Sequence, residues 1–179
     1  MKKNLVLAGL LSLALPLFAQ QVDHECADPH PAPSAPWQAV KQVELGWGTT
    51  DLRYQKNEIP ALTRKLELYA WRGERVNAQA VLLAPQAIKQ LSFAVSDLRC
   101  GKEVIPSDAV RPYFVSYILT DSYLDKNGKE NHGAHLTAAF DSFLVADRLD
   151  PASLMTVESQ TVRPLWMEIQ VPVSALPGK

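Results

Sequence analysis

Residues 165–173 read Leu165-Trp166-Met167-Glu168-Ile169-Gln170-Val171-Pro172-Val173. Apolar side chains at 165, 167, 169, 171 and 173 alternate with Trp166, Glu168, Gln170 and Pro172. A strand points successive side chains to opposite faces, so this period of two predicts a β-strand buried on one side. The pattern recurs upstream. Leu66, Leu68 and Ala70 alternate with Lys65, Glu67, Tyr69 and Trp71; the turn residues Arg72-Gly73-Glu74 follow, and Val76 to Leu83 reads as the next strand. Pro85 to Gln90 suggests one short helical turn. Leu91, Phe93 and Val95 then alternate with Ser92, Ala94 and Ser96 before the turn Cys100-Gly101-Lys102. Tyr113 to Leu119, YFVSYIL, is apolar on both faces and rich in β-favouring residues, which predicts a strand covered on both sides. No long segment has a helical period and no repeat is evident. Short strands separated by turn residues predict an all-β chain, a β-sandwich of short antiparallel strands.

Composition agrees with that class and excludes others. The 179 residues suffice for one domain. Apolar residues make up 47% and charged residues 21%, as in ordinary globular proteins. A formal net charge of −1 without a basic stripe gives no basis for binding nucleic acid. Thirteen prolines against eight glycines disfavour a helical bundle, because proline terminates helices.

The chain opens with export chemistry. Lys2 and Lys3 precede an apolar run from Leu5 to Leu17, and Phe18-Ala19-Gln20 places a small residue before a polar stretch. Residues 1–19 therefore read as a secretory signal peptide cleaved after Ala19. The run is shorter than the roughly 20 residues a spanning helix needs, so no membrane span is expected after cleavage. The expected location is the periplasm, cell surface or exterior. Residues 20–36, with Pro29, Pro31, Pro33 and Pro36, read as an extended linker with little to bury. The folded part, 37–179, is expected to begin near Trp37. Export permits a disulfide between Cys26 and Cys100, but two cysteines carry no spacing signature, and two free thiols is the simpler reading.

Chemistry is sparse. No G-x-S-x-G, H-E-x-x-H, phosphate-binding loop or G-x-G-x-x-G occurs. His132 and His135 lie close together but lack the further ligands a metal site needs, so no metal or cofactor is expected. Asp121 to Glu130 departs from the calcium-loop order, and Asn127-Gly128 reads as a tight turn. Asp141, Asp147 and Asp150 could edge a cleft, since a glycosidase needs two carboxyl groups roughly 5–10 Å apart. Their setting, Asp147-Arg148 and Asp150-Pro151, reads first as turn and ion-pair chemistry. Tyr69, Trp71 and Trp166 lie on the otherwise polar sides of their strands. Large aromatics there cap an edge, meet another domain or bind sugar.

Taken in order, several stretches resemble the N-terminal domain of glycoside hydrolase family 123. They are Gly48-Thr-Thr-Asp-Leu-Arg-Tyr54 with Pro60, Trp71-Arg-Gly-Glu-Arg-Val-Asn-Ala-Gln-Ala-Val-Leu82, Val95-Ser-Asp-Leu98, Phe114-Val-Ser-Tyr-Ile-Leu-Thr-Asp121, Asp141-Ser-Phe-Leu-Val-Ala-Asp147, Arg163-Pro-Leu-Trp166, Val171-Pro172 and Pro177-Gly178. The resemblance spans about residues 40–179. It departs at Asn131-His132-Gly133, which lacks a Cys-Gly found in many relatives. Enzymes of this family are bacterial β-N-acetylgalactosaminidases in which a β-sandwich precedes a (β/α)₈ barrel. Neighbouring Asp and Glu residues of that barrel assist attack by the substrate's own acetamido group. The resemblance therefore implies a non-catalytic accessory domain in glycan degradation, inactive alone, whose partner is a C-terminal barrel. Glycans containing N-acetylgalactosamine are the implied substrates. It also implies that a strand should follow Pro177-Gly178, so that 37–179 would lack its last strand or strands, as in a fragment or split reading frame. The alternative is an independent carbohydrate-binding or adhesion module of the cell envelope.

Overall fold

The computed structural model describes residues 25–26, 28–29, 34–121 and 142–176. Nine strands follow a 3-10 turn at Ala35–Ala39: β1 (Glu44–Gly48), β2 (Arg75–Ala84), β3 (Ile88–Leu91), β4 (Leu98–Cys100), β5 (Glu103–Ile105), β6 (Val110–Asp121), β7 (Ser142–Asp150), β8 (Met155–Val157) and β9 (Thr161–Gln170). The main sheet has the order β1-β2-β9-β6-β7, with every neighbour antiparallel. The remaining strands form two ribbons, β3–β8 and β4–β5.

From Ala78 to Ala84 both faces of β2 are buried, which is why the end of this strand, Ala80 to Ala84, reads as continuous apolar sequence. Val81 and Leu83 face one side, where they meet Val162, Trp37 and Tyr54. Ala80, Leu82 and Ala84 face the other. There Ala80 joins Phe114 and Leu165, while Leu82 and Ala84 join Val157 with Ile88, Leu91 and Met155. The β3–β8 ribbon is thus the second layer of an all-β sandwich, two strands against five among the described residues. Phe93 packs edge-on against the fully buried Phe114, ring centroids 5.0 Å apart.

Four local expectations differ from the structure. Lys65–Trp71 joins no ladder; the nearest pairing is the isolated Trp47–Thr63 bridge just before it. Pro85–Gln90 holds a bend and the start of β3, not a helical turn. The alternation at 91–96 continues past β3 without pairing. The last strand begins at Thr161 and ends at Gln170, four residues earlier at its start and three earlier at its end than the period-two run. Burial without alternation at 161–164 hid the beginning. After Gln170 the chain bonds instead to the Trp71–Glu74 turn, through Val171 N–H to Glu74 O (2.9 Å) and Gly73 N–H to Val171 O (3.0 Å).

One irregularity positions buried charge. The β6–β9 ladder stops at the Phe114–Leu165 rung, although β6 runs on to Asp121 beside β7. Pro164 follows at that point, a residue with no N–H to offer a ladder. Arg163 lies in the seam that opens, 1% exposed.

Candidate interaction surface

Tyr69 and Trp71 are each 83% exposed. Their exposure follows from the local backbone. β1 ends opposite Gln79, so the first half of β2 has no ladder partner on that side. The chain returning from Thr63 passes without pairing and reaches the turn at 71–74. Glu74 N–H donates to Trp71 O (3.1 Å), and the Glu74 carboxylate accepts the Trp71 N–H (2.6 Å). Gly73 has φ +80°, a left-handed conformation natural to glycine. The Gln170 amide donates to Gly73 O (2.9 Å), tying the turn to the end of β9. Val173, also largely exposed, abuts the turn: a Cβ on Gly73 would lie 3.1 Å from its Cγ1. Trp71, at the start of this turn, and Val173, packed against it, give that end of the sheet an exposed apolar rim, and the exposed Leu68 and Tyr69 precede it in the chain.

Beside the rim lies an open pocket of about 280 Å³, lined by Arg75, Asp108, Arg111, Glu168, Gln170 and Pro172. Arg111 and Glu168 are opposite each other across β6 and β9, and Arg75 faces Gln170 across β2 and β9. Tyr113 Oη donates to Glu168 at 3.4 Å, a weak bond. Mixed charges in an open depression suit a polar contact surface better than an enclosed substrate site.

Trp166 belongs elsewhere. It stands opposite Gln79 and Tyr113 on neighbouring strands and is half-buried against Val115, Tyr117, Leu144 and Ala146. Tyr69 and Trp71 are therefore exposed side chains two residues apart, while Trp166 has a packing role within the sheet face.

The aspartates are held by ion pairs and hydrogen bonds. Asp147 is the extra residue where the β6–β7 register shifts between Ser116 and Tyr117, a β-bulge, and it pairs with Arg53 at 2.8 Å. Asp150 accepts the Ala152 N–H (2.9 Å), contacts Ser116 Oγ (3.5 Å) and lies 3.7 Å from Arg148. Both sit on β7, where the sequence suggested a loop. Asp141, the two histidines at 132 and 135, and Asn127-Gly128 lie outside the described residues. Cys26 and Cys100 are exposed free thiols. Among the described residues no three His, Cys, Asp or Glu side chains gather to hold a metal, and no helix is long and apolar enough to cross a membrane.

Comparison with known proteins agrees with the architecture. Residues 47–179 match the family described as the glycoside hydrolase 123 N-terminal domain. No curated protein matches. Among solved structures, a family 123 glycoside hydrolase from Clostridium perfringens, studied for glycolipid glycan hydrolysis, superposes with a TM-score of 0.55 at 18% identity. The match covers 77% of this chain and 23% of that one, so this chain corresponds to less than a quarter of the solved protein's length.

Proposed function

The chain belongs to the glycoside hydrolase 123 N-terminal domain family, and from that premise we propose that it is the exported, non-catalytic accessory domain of a glycosidase, packing on a (β/α)₈ catalytic domain and shaping one side of its cleft. The observation that carries this reading is the exposure of Tyr69 and Trp71, each 83%, next to a turn against which the exposed Val173 lies. Two large aromatics on an unpaired segment are ill placed to stabilise this sandwich and well placed to be covered by a neighbour. The adjacent charged pocket would supply the polar border such an interface needs. The substrates of the whole enzyme would be β-linked N-acetylgalactosaminides, with the acid–base residues on the partner domain.

The chain by itself is expected to turn over no chromogenic β-N-acetylgalactosaminide. Turnover by the purified chain that disappears in Asp147→Asn would overturn the non-catalytic assignment. Retention on immobilised N-acetylgalactosamine, lost in Trp71→Ala, would favour an independent carbohydrate-binding module instead.

A further inference from the structure

The seam between β6 and β9 is filled by a side chain from far upstream. Glu25 accepts hydrogen bonds from Arg163 Nη1 (2.5 Å) and Nη2 (2.8 Å), a two-pronged carboxylate–guanidinium pair. The same carboxylate accepts the Tyr117 N–H at 2.7 Å, a donor the β6–β9 ladder leaves free by stopping at Phe114. Lys56 Nζ lies 3.6 Å from the second oxygen. We propose that this seam is a carboxylate slot which Glu25 occupies, making Glu25 an acid-releasable strap on the β6–β9 seam.

The cations of the slot belong to the folded part and not to the segment that carries Glu25. Arg163 is 1% and Lys56 3% exposed. Arg163 also donates to Val115 O (2.8 Å) and stacks 5.1 Å from the Tyr117 ring centre, but its Nε has no partner among the described residues. A buried guanidinium needs a counter-charge. Glu158 can hold Lys56, at 2.9 Å, but makes no contact with Arg163. Glu25 alone among the described residues supplies that charge to Arg163. Further contacts fall on the neighbouring Asn57: its Nδ2 donates to Asp28 at 2.9 Å, and its O accepts Trp37 Nε1–H at 2.8 Å. Residues 25, 28 and 37 therefore all dock on the Lys56–Asn57 loop, which itself accepts the Val162 N–H. This inference does not depend on the accessory-domain reading.

Release follows from protonation. The groups facing Glu25 are Arg163 from β9, Tyr117 from β6 and Lys56 from the preceding loop, with Glu158 beyond Lys56. Burial pushes the Glu25 carboxyl up, but Arg163, the Tyr117 N–H and Lys56 together outweigh it and hold it below the usual value of 4.5. Burial raises the Tyr117 phenol further above its ordinary range, so it stays neutral throughout. A depressed carboxyl contributes stability above its unfolded value and loses it as pH falls through the folded one.

The test is thermal unfolding of the full chain and of Glu25→Gln between about pH 7 and about pH 3, with residue-resolved amide exchange. At neutral pH the variant should melt on the order of 10 °C lower. The two curves should converge in acid, and Tyr117 amide protection should fall by at least about tenfold in the variant, with Phe114 still protected. Parallel curves with Tyr117 protected in both would overturn the slot. Should the variant not fold, the unaltered chain decides: Tyr117 protection lost in acid before that of Phe114 supports the strap, and simultaneous or absent loss overturns it.

Discussion

Phe114 and Trp71 are both large aromatics, yet their settings predict opposite behaviour. Phe114 has no exposed surface and packs against Ala80, Leu165 and the edge of Phe93. Truncation to alanine leaves a cavity that close-packed neighbours refill only in part, at a cost of about 3–5 kcal/mol. Trp71 meets mostly solvent, so Trp71→Ala should change the stability of this chain by less than about 0.5 kcal/mol. Urea unfolding of the two variants checks the pair; a large loss in Trp71→Ala would show that its ring stabilises the sandwich. Arg163 shows what the sequence could not reveal at this scale. Arg-Pro-Leu-Trp carries no mark that the arginine is buried, because its counter-charge, Glu25, lies 138 residues away. The aspartates of β7 were legible in part: ion-pair chemistry was expected from the adjacent Arg148, which lies 3.7 Å from Asp150, whereas Asp147 pairs with the distant Arg53 and both sit on a bulged strand and not in a turn.

Turns test the element scale because two glycines differ in one variable. Gly73 and Gly101 both have positive φ, +80° and +60°. An added Cβ at Gly101 meets nothing within 4 Å, whereas at Gly73 it lies 3.1 Å from Val173 Cγ1. Gly101→Ala should therefore cost only the left-handed backbone penalty, about 1 kcal/mol, and Gly73→Ala somewhat more, about 1–2 kcal/mol. Equal unfolding midpoints for the two would mean that Val173 yields freely and that the end of β9 is loosely tied. The two turns were legible because glycine needs only local sequence to announce it. The Lys65–Trp71 strand was misread because alternation reports which side chains are buried in a ladder only when a partner is present, and β1 ends opposite Gln79. Its amides should accordingly exchange far faster than those of β2, β6 and β9; protection equal to that of β2 would reveal pairing at this edge.

For the whole molecule, the distribution of apolar surface separates the ends of the sheet. Fold class, the covered middle of β6, the buried part of β2 and the second half of β9 were legible because buried strands show either apolar alternation or a continuous apolar run. The two-stranded second layer was not, since β3 and β8 have four and three residues and too few positions to show a period. Nor was the placement of Val173 against the turn that begins at Trp71, which depends on Val171 bonding to that turn. Each aromatic carries about 150–250 Å² of surface. A rim of this kind therefore reaches the few hundred Å² at which an exposed apolar patch marks a contact site. With no neighbour over it, the rim should find another copy of the chain. The β7 edge is less inviting, because Asp147, Arg148 and a bulge interrupt it, and such features discourage strand-to-strand pairing. Sedimentation of the purified chain should thus show reversible association at concentrations on the order of 100 μM, typical of weak patches without a dedicated partner. The double variant Tyr69→Ser, Trp71→Ser should remain monomeric there while unfolding at the same urea concentration as the unaltered chain, because both side chains lie outside the core. Association that persists in the double variant would move the contact to the sheet edge. A lowered unfolding midpoint would instead return the two aromatics to the sandwich, and with them the surface on which the accessory role rests.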